Sequence, residues 1–366
     1  MLLRRCINIA HQRWPALISK QSAKSNCSGT NRWIHQSVPV QASLSLAPLP
    51  ERKFVRVQGP DTVSFLQGLM TNDMRHFEHC GTMYTMFLKA NGRVFCDTLM
   101  YKRPAGTEEH DYLIECDSSV ASRLEKHLKL YRLRKKVQVT EDETFQLWVV
   151  FRADLDEEQP SESTTPNSLS CPGGHLHAFR DPRLPRLGYR VLADKDQSDP
   201  AERLSSLFTS AVGPAQSPLS FTTFRYSLGV GEGEKNLPDG KCFPLECNCD
   251  YLHGVSFHKG CYIGQELTAR TYHTGVIRKR LMPLEFDSPL ESLPAESLTD
   301  AEIKNADGAA VGKLRGFEGT RGVGLLRIEK VLPGGQLTLN VGGGDSAIPC
   351  RTRKPFWWPS EATARS

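Results

Sequence analysis

After about residue 274 the 3.6-residue helical period drops out of this chain, and no other feature constrains its fold as much. The short apolar stretches 280–286, 310–315, 323–328 and 336–341 are separated by turns rich in Gly and Pro. This pattern predicts a small all-β terminal domain over 274–366, closed as a barrel. Trp357 and Trp358, near its end, are expected to pack it back onto the rest. Upstream, strands alternate with helices. Phe54-Val55-Arg56-Val57 reads as a strand. Asp61 then caps a helix whose stripe is Val63, Phe65, Leu66, Leu69 and Met70, and Thr71-Asn72-Asp73 ends it. Strands at 83–88 and 94–101 flank Asn91-Gly92, the strongest short hairpin signal. A strand at 112–116 is followed by a helix from about 120 to 130, with Leu124, Leu128 and Tyr131 inward. Strands at 137–139 and 145–150 close this alternation, a strand around 187–192 and a helical segment near 201–208 follow, and the α+β body spans 41–273.

The 366 residues are 39% hydrophobic and 24% charged, the balance of a globular protein. No run approaches the roughly 18 to 20 apolar residues a membrane helix requires. The formal charge of +5 is unevenly placed. Six of the 46 basic residues, Arg4, Arg5, Arg13, Lys20, Lys24 and Arg32, fall within 1–40, and no acid precedes Glu51. The other 40 face 41 acids, so the remainder is near −1 and lacks the persistent basic surface that nucleic acid demands. Neither nucleic acid nor membrane is therefore expected as a partner. The acid-free, Arg- and Ser-bearing stretch 1–40 has the pattern of a mitochondrial transit peptide, with the matrix as destination. Eleven cysteines there are expected as free thiols or metal ligands. From about 154 to 172 the composition turns to Asp, Glu, Ser, Thr and Pro, which reads as a disordered surface insertion.

The chemistry concentrates in Lys259-Gly260-Cys261-Tyr262-Ile263-Gly264-Gln265-Glu266. A thiol becomes a nucleophile or a metal ligand as its thiolate, which neighbouring cations and helix starts favour. Lys259 lies two residues before Cys261, so an extended segment puts both side chains on one face. Gly260 leaves room for a close approach. Gln265 through Arg270 reads as the first turns of a helix, in which Glu266 and Arg270 are i,i+4 neighbours. Arg270 is also a candidate interface residue.

Together with residues 254–257 and Thr268-Ala269-Arg270, this stretch resembles the mitochondrial iron–sulfur cluster assembly factors related to the glycine-cleavage T-protein, the folate-dependent aminomethyltransferase. Gly59-Pro60-Asp61, Phe65-Leu66, residues 69–73 and Arg225-Tyr226-Ser227-Leu228-Gly229 support the resemblance, which runs from about residue 54 to the C-terminus. It implies an α+β, aminomethyltransferase-like folate-binding body with a C-terminal β-barrel. It implies work with A-type iron–sulfur carrier proteins in maturing [4Fe–4S] enzymes, including aconitase and radical-SAM proteins, and so support for haem and lipoate synthesis. Under that reading Cys261 is a thiolate ligand to a transient iron–sulfur cluster, or to iron in transit. One cysteine cannot complete a cluster that wants four ligands, so a carrier must supply the rest, and the chain alone would be a monomer. Lys259, Gly260, Tyr262, Gly264, Gln265, Glu266 and Arg270 are its supporting motif.

The same resemblance raises tetrahydrofolate as a cofactor, with Asp97, Arg225 and Glu246 as candidate contacts. Aminomethyltransferases carry paired aspartates where this chain has Cys96-Asp97, and a pterin-gripping glutamate where it has Ser227. Losing such an acceptor costs about 1.5–3 kcal/mol, which weakens the rival reading of a folate-dependent one-carbon transferase. A third reading is a self-contained metal site built from Cys242, Cys247, Cys249 and Cys261, although Cys-x4-Cys-x-Cys is neither a zinc-ribbon nor a ferredoxin spacing. The basic run Arg132, Arg134, Lys135 and Lys136 reads as a solvated helix-to-strand edge, with docking of an acidic partner as its alternative. No phosphate loop, dinucleotide turn, zinc-protease helix or nucleophile elbow is present.

Overall fold

Residues 44–104, 106, 110–152, 166–171, 174–196, 200–215, 220–341 and 347–360 are described by the computed structural model. The leader over 1–40 and residues 153–165 of the insertion lie outside them. β1 (Leu44–Pro48) leads into β2 (Arg52–Gln58), and α1 (Thr62–Gln67) and α2 (Met74–Cys80) precede the hairpin of β3 (Thr82–Leu88) and β4 (Val94–Lys102). β5 (Asp111–Asp117), α3 (Ala121–Arg132), β6 (Gln138–Asp142) and β7 (Phe145–Phe151) follow. Next come β8 (Ser168–Ser170), β9 (Leu176–Arg180), β10 (Tyr189–Asp194), α4 (Ala201–Phe208) and β11 (Val212–Pro214). α5 (Phe221–Ser227), α6 (Gly233–Asn236) and α7 (Gln265–Thr274) lead to the last section. There β12 (Lys279–Phe286), α8 (Ala295–Leu298), β13 (Glu302–Asn305), β14 (Ala310–Glu318), β15 (Arg321–Arg327), α9 (Ile328–Val331), β16 (Leu337–Asn340) and β17 (Ala347–Thr352) alternate with short turns.

Alternating side chains sort these strands into layers. One sheet has the order β3-β4-β5-β2-β6, a second β11-β1-β7-β10-β9-β8. Phe54, Leu99, Tyr101 and Leu113 of the first meet Leu147, Val149, Phe151 and Leu192 of the second in a shared core. The intervening residues Val55, Val57, Met100 and Ile114 face the other way, under Phe65, Leu66, Phe77, Leu124 and Leu128 of α1, α2 and α3. The final strands close as the barrel β12-β15-β14-β13-β16-β17 around Met282, Leu284, Ile303, Val311, Leu326 and Leu339. Trp357 donates its indole N–H to Leu228 O at 2.8 Å, and Trp358 is buried in the barrel core. The α+β class and the terminal barrel are both present.

Four local expectations need correction. Asp61 does not cap α1; its carboxylate accepts the Lys136 N–H at 2.7 Å instead. Asn72 and Asp73 do not merely end a helix, because the Asp73 carboxylate caps α2 by accepting from Arg75 N–H at 3.0 Å. Residues 166–171 are ordered, and β8 adds an edge strand to β9, with Leu169 and Cys171 packed on the outer core. The alternation Ser-Leu-Ser-Cys was a strand signal hidden by its polar surroundings. Tyr131 points outward, its ring 4.8 Å from that of His127.

Candidate functional site

Cys261 is exposed at the crest of a loop that the rest of the body holds from beneath. The segment after α1 makes the cradle. Thr71 Oγ1 donates to Gly254 O at 2.6 Å, and Ser256 N–H donates back to Thr71 O at 3.1 Å. Asn72 Nδ2 bonds both Tyr84 O, at 2.8 Å, and His253 O, at 2.7 Å. Ile263 N–H donates to Gly68 O at 3.1 Å. Tyr262 is buried in the core between the sheets, while Ile263 packs against the core under α1 and α2. The residues on the C-terminal side of Cys261 are thus anchored on both faces of the five-stranded sheet.

The segment at Lys259 is bent rather than extended, and the lysine is half-buried. Its ammonium turns inward and donates to Met70 O at 2.6 Å and Asn72 O at 2.7 Å, 4.9 Å from the Tyr262 ring centre. Burial pulls its pKa down to about 8, with Asp73 opposing. Both carbonyls belong to the buried linker between α1 and α2, where an acceptor away from water needs a donor, and a cation satisfies it well. Lys259 therefore secures the loop.

Gly264 has φ +79°, and a Cβ there would meet Lys89 O at 2.4 Å. Only glycine lets the start of α7 rest on the β3–β4 turn. Gln265 Oε1 accepts the Tyr262 N–H at 3.1 Å and locks the loop to the helix. Gly260 is different: nothing lies within 4 Å of where its Cβ would be, and its φ is not left-handed. The protein's own fold leaves that glycine unexplained, and the space beside the thiol stays open. Glu266 and Arg270 are exposed, and among the described residues neither has an ion-pair partner within 4.0 Å, so the expected i,i+4 pair is absent. Phe257 and Tyr272 stack 3.6 Å apart along α7.

The three folate candidates do not converge. Asp97 is buried, accepts Gly233 N–H at 3.0 Å and lies 4.0 Å from Arg52. Burial raises its pKa, with Arg52 opposing. Arg225 is committed to Val230 O at 2.7 Å and Asn236 Oδ1 at 3.0 Å. Glu246 borders a separate cleft of about 540 Å³, together with Phe243, Leu267, Thr271 and Lys279. Ser227 closes on its own helix, donating to Phe224 O at 2.7 Å. Around Asp97 lies instead a charge network. Arg183 bonds Asp181 at 2.6 Å and Glu232 at 2.7 Å, Arg190 bonds Glu115 at 3.2 Å and also Glu232, and Arg52 bonds Glu115 at 2.7 Å. Glu232 went unread in the sequence, though the glycines on either side of it were a signal of tight backbone packing. Its charge is paired with arginines.

Comparison with known proteins agrees with this architecture. Residues 39–150 match the GCVT N-terminal domain and residues 278–360 match the CAF17 C-terminal beta-barrel domain. The fold is similar to glycine cleavage system aminomethyltransferase T from Bartonella henselae, with TM-score 0.64 and 14% identity over 87% of each chain. Iron-sulfur cluster assembly factor IBA57, mitochondrial, from Homo sapiens is 37% identical over 85% of this chain and 85% of its own, and the Mus musculus protein is also 37% identical. The chain belongs to the IBA57 family. Within this member of the IBA57 family the four-cysteine reading fails on placement. Cys242, Cys247 and Cys249 are buried in the core while Cys261 faces out. A contact with Cys242 and burial raise the Cys247 thiol well above its usual value, and burial, with the Asp250 carboxylate adding, does so for Cys249. Among the described residues no three His, Cys, Asp or Glu gather as a metal-binding group.

Proposed function

We propose that this chain is a mitochondrial iron–sulfur cluster assembly factor in which Cys261 takes hold of the cluster as cargo. The observation that carries the reading is an exposed thiol on a loop pinned from below, with open space at Gly260 and, among the described residues, no group of three metal-ligating side chains around it. A cluster bound there takes its remaining ligands from a partner, because a single thiolate leaves most iron sites unfilled. The partner is an A-type carrier, docked over Gly260 and the outer face of α7, where Glu266 and Arg270 are free to pair with it. The chain is a monomer alone and a heterodimer with the carrier, in the matrix, and its output is [4Fe–4S] proteins. No step is assigned to folate.

Anaerobic reconstitution with an A-type carrier tests this. The wild-type pair should develop visible cluster absorption that the Cys261→Ser pair lacks. An equal spectrum from both pairs would overturn the role of Cys261.

A further inference from the structure

The turn between α3 and β6 exposes what folding ordinarily hides. Residues 129–136, Lys-Leu-Tyr-Arg-Leu-Arg-Lys-Lys, are all exposed and carry five cations, three large apolar side chains and no acid. Leu130 is 71% exposed and Leu133 85%. Leu133 also holds φ 48° and ψ −116°, backbone that glycine enters freely and leucine only under strain. An apolar side chain is thus pushed into water by an unfavourable backbone, and no contact within the fold compensates. The turn itself is well fixed, through Lys136 N–H to Asp61 at 2.7 Å and Lys135 Nζ to Ser64 Oγ at 2.9 Å. Lys129 pairs with Glu125 at 2.7 Å and Arg132 reaches Val137 O at 3.4 Å. Among the described residues the side chains of Arg134 and Lys136 have no partner. Beside them a cleft of about 320 Å³ is lined by Gln58, Gly59, Arg132, Lys136, Val137 and Gln138, with two cations and no acid.

We propose that this turn docks the protein on a bilayer surface bearing anionic phospholipid. Leu130 and Leu133 enter the acyl boundary, the Arg132–Lys136 cleft takes a headgroup phosphate, and Arg134 and Lys135 meet neighbouring headgroups. An acidic protein groove would match the charge, but it would need a pocket shaped to both leucines, whereas lipid accepts them without shape matching. The sequence argued against a membrane partner only through the lack of a spanning run, and surface docking needs none. Among the described residues no helix is long and apolar enough to cross a membrane.

Flotation of the purified protein with vesicles of phosphatidylcholine, with or without phosphatidylglycerol, tests the assignment. Binding should require phosphatidylglycerol and fall about fivefold with each of Arg134→Gln and Lys136→Gln. It should fall at least about tenfold with Leu133→Gly, which removes the apolar anchor. That variant relieves the backbone, so it keeps its fold, as its circular dichroism will show. Absence of wild-type flotation, or equal flotation with phosphatidylcholine alone, would overturn the proposal. Full binding by Leu133→Gly would mark a contact with polyanions in general and overturn it as well.

Discussion

Gly260 and Gly264 bracket the thiol and are glycines for different reasons. At Gly264 a methyl group would collide with Lys89 O at 2.4 Å on a left-handed backbone, so Gly264→Ala should cost about 2 kcal/mol or more in urea unfolding. Gly260→Ala meets no atom and should unfold within about 0.5 kcal/mol of wild type. If the carrier approaches there, that silent variant should still bind it more weakly in titration. Lys259 carries a pH signature. Its folded pKa of about 8 lies below the 10.5 of a free lysine, so between these values the unfolded chain binds the extra proton and stability rises with pH. Relative to Lys259→Met, the wild-type urea midpoint should climb from about pH 8 to about pH 10.5; a flat difference would show that the ammonium is not held as described. Sequence spacing singled out Cys261 and its motif as candidates, yet it could not show which way Lys259 turns. That depends on carbonyls of Met70 and Asn72, some 190 positions away in the chain.

Among the elements, those whose period is set by a single buried face were legible. The β3–β4 hairpin follows from Asn91-Gly92, and α3 from Leu124 and Leu128. Segments whose residues serve a distant partner were misread. Thr71 and Asn72 look like helix-ending polar residues but spend their side chains on Gly254, His253 and Tyr84. Asp61 looks like a cap but serves the turn before β6. That turn makes a prediction of its own. A leucine at φ 48° costs strain that glycine avoids, against glycine's greater unfolded entropy, so Leu133→Gly should raise unfolding stability by about 1 kcal/mol.

At the scale of the whole molecule, the two sheets are joined by charge as well as by hydrocarbon. Arg190 on β10 meets Glu115 on β5, with Glu232 and Asp181 completing its shell, all buried. Removing one partner strands the others, so Arg190→Met should cost about 3–5 kcal/mol in denaturant unfolding. This network was invisible in the sequence because its members, Arg52, Asp97, Glu115, Asp181, Arg183, Arg190 and Glu232, are scattered over 180 positions and each resembles a surface charge. The barrel, by contrast, was readable from the loss of helical period alone, although β13, with four residues, and β17, interrupted by Pro349 and largely polar beyond it, did not register. The anchoring of Tyr262 in one core and Ile263 against another has a mechanical corollary. The sulfur at 261 is riveted through the rim of the sheet, so any shear between its faces would tilt it. With Cys80, the other exposed thiol among the described residues, replaced by serine, a fluorophore on Cys261 would act as a strain gauge for both halves of the body.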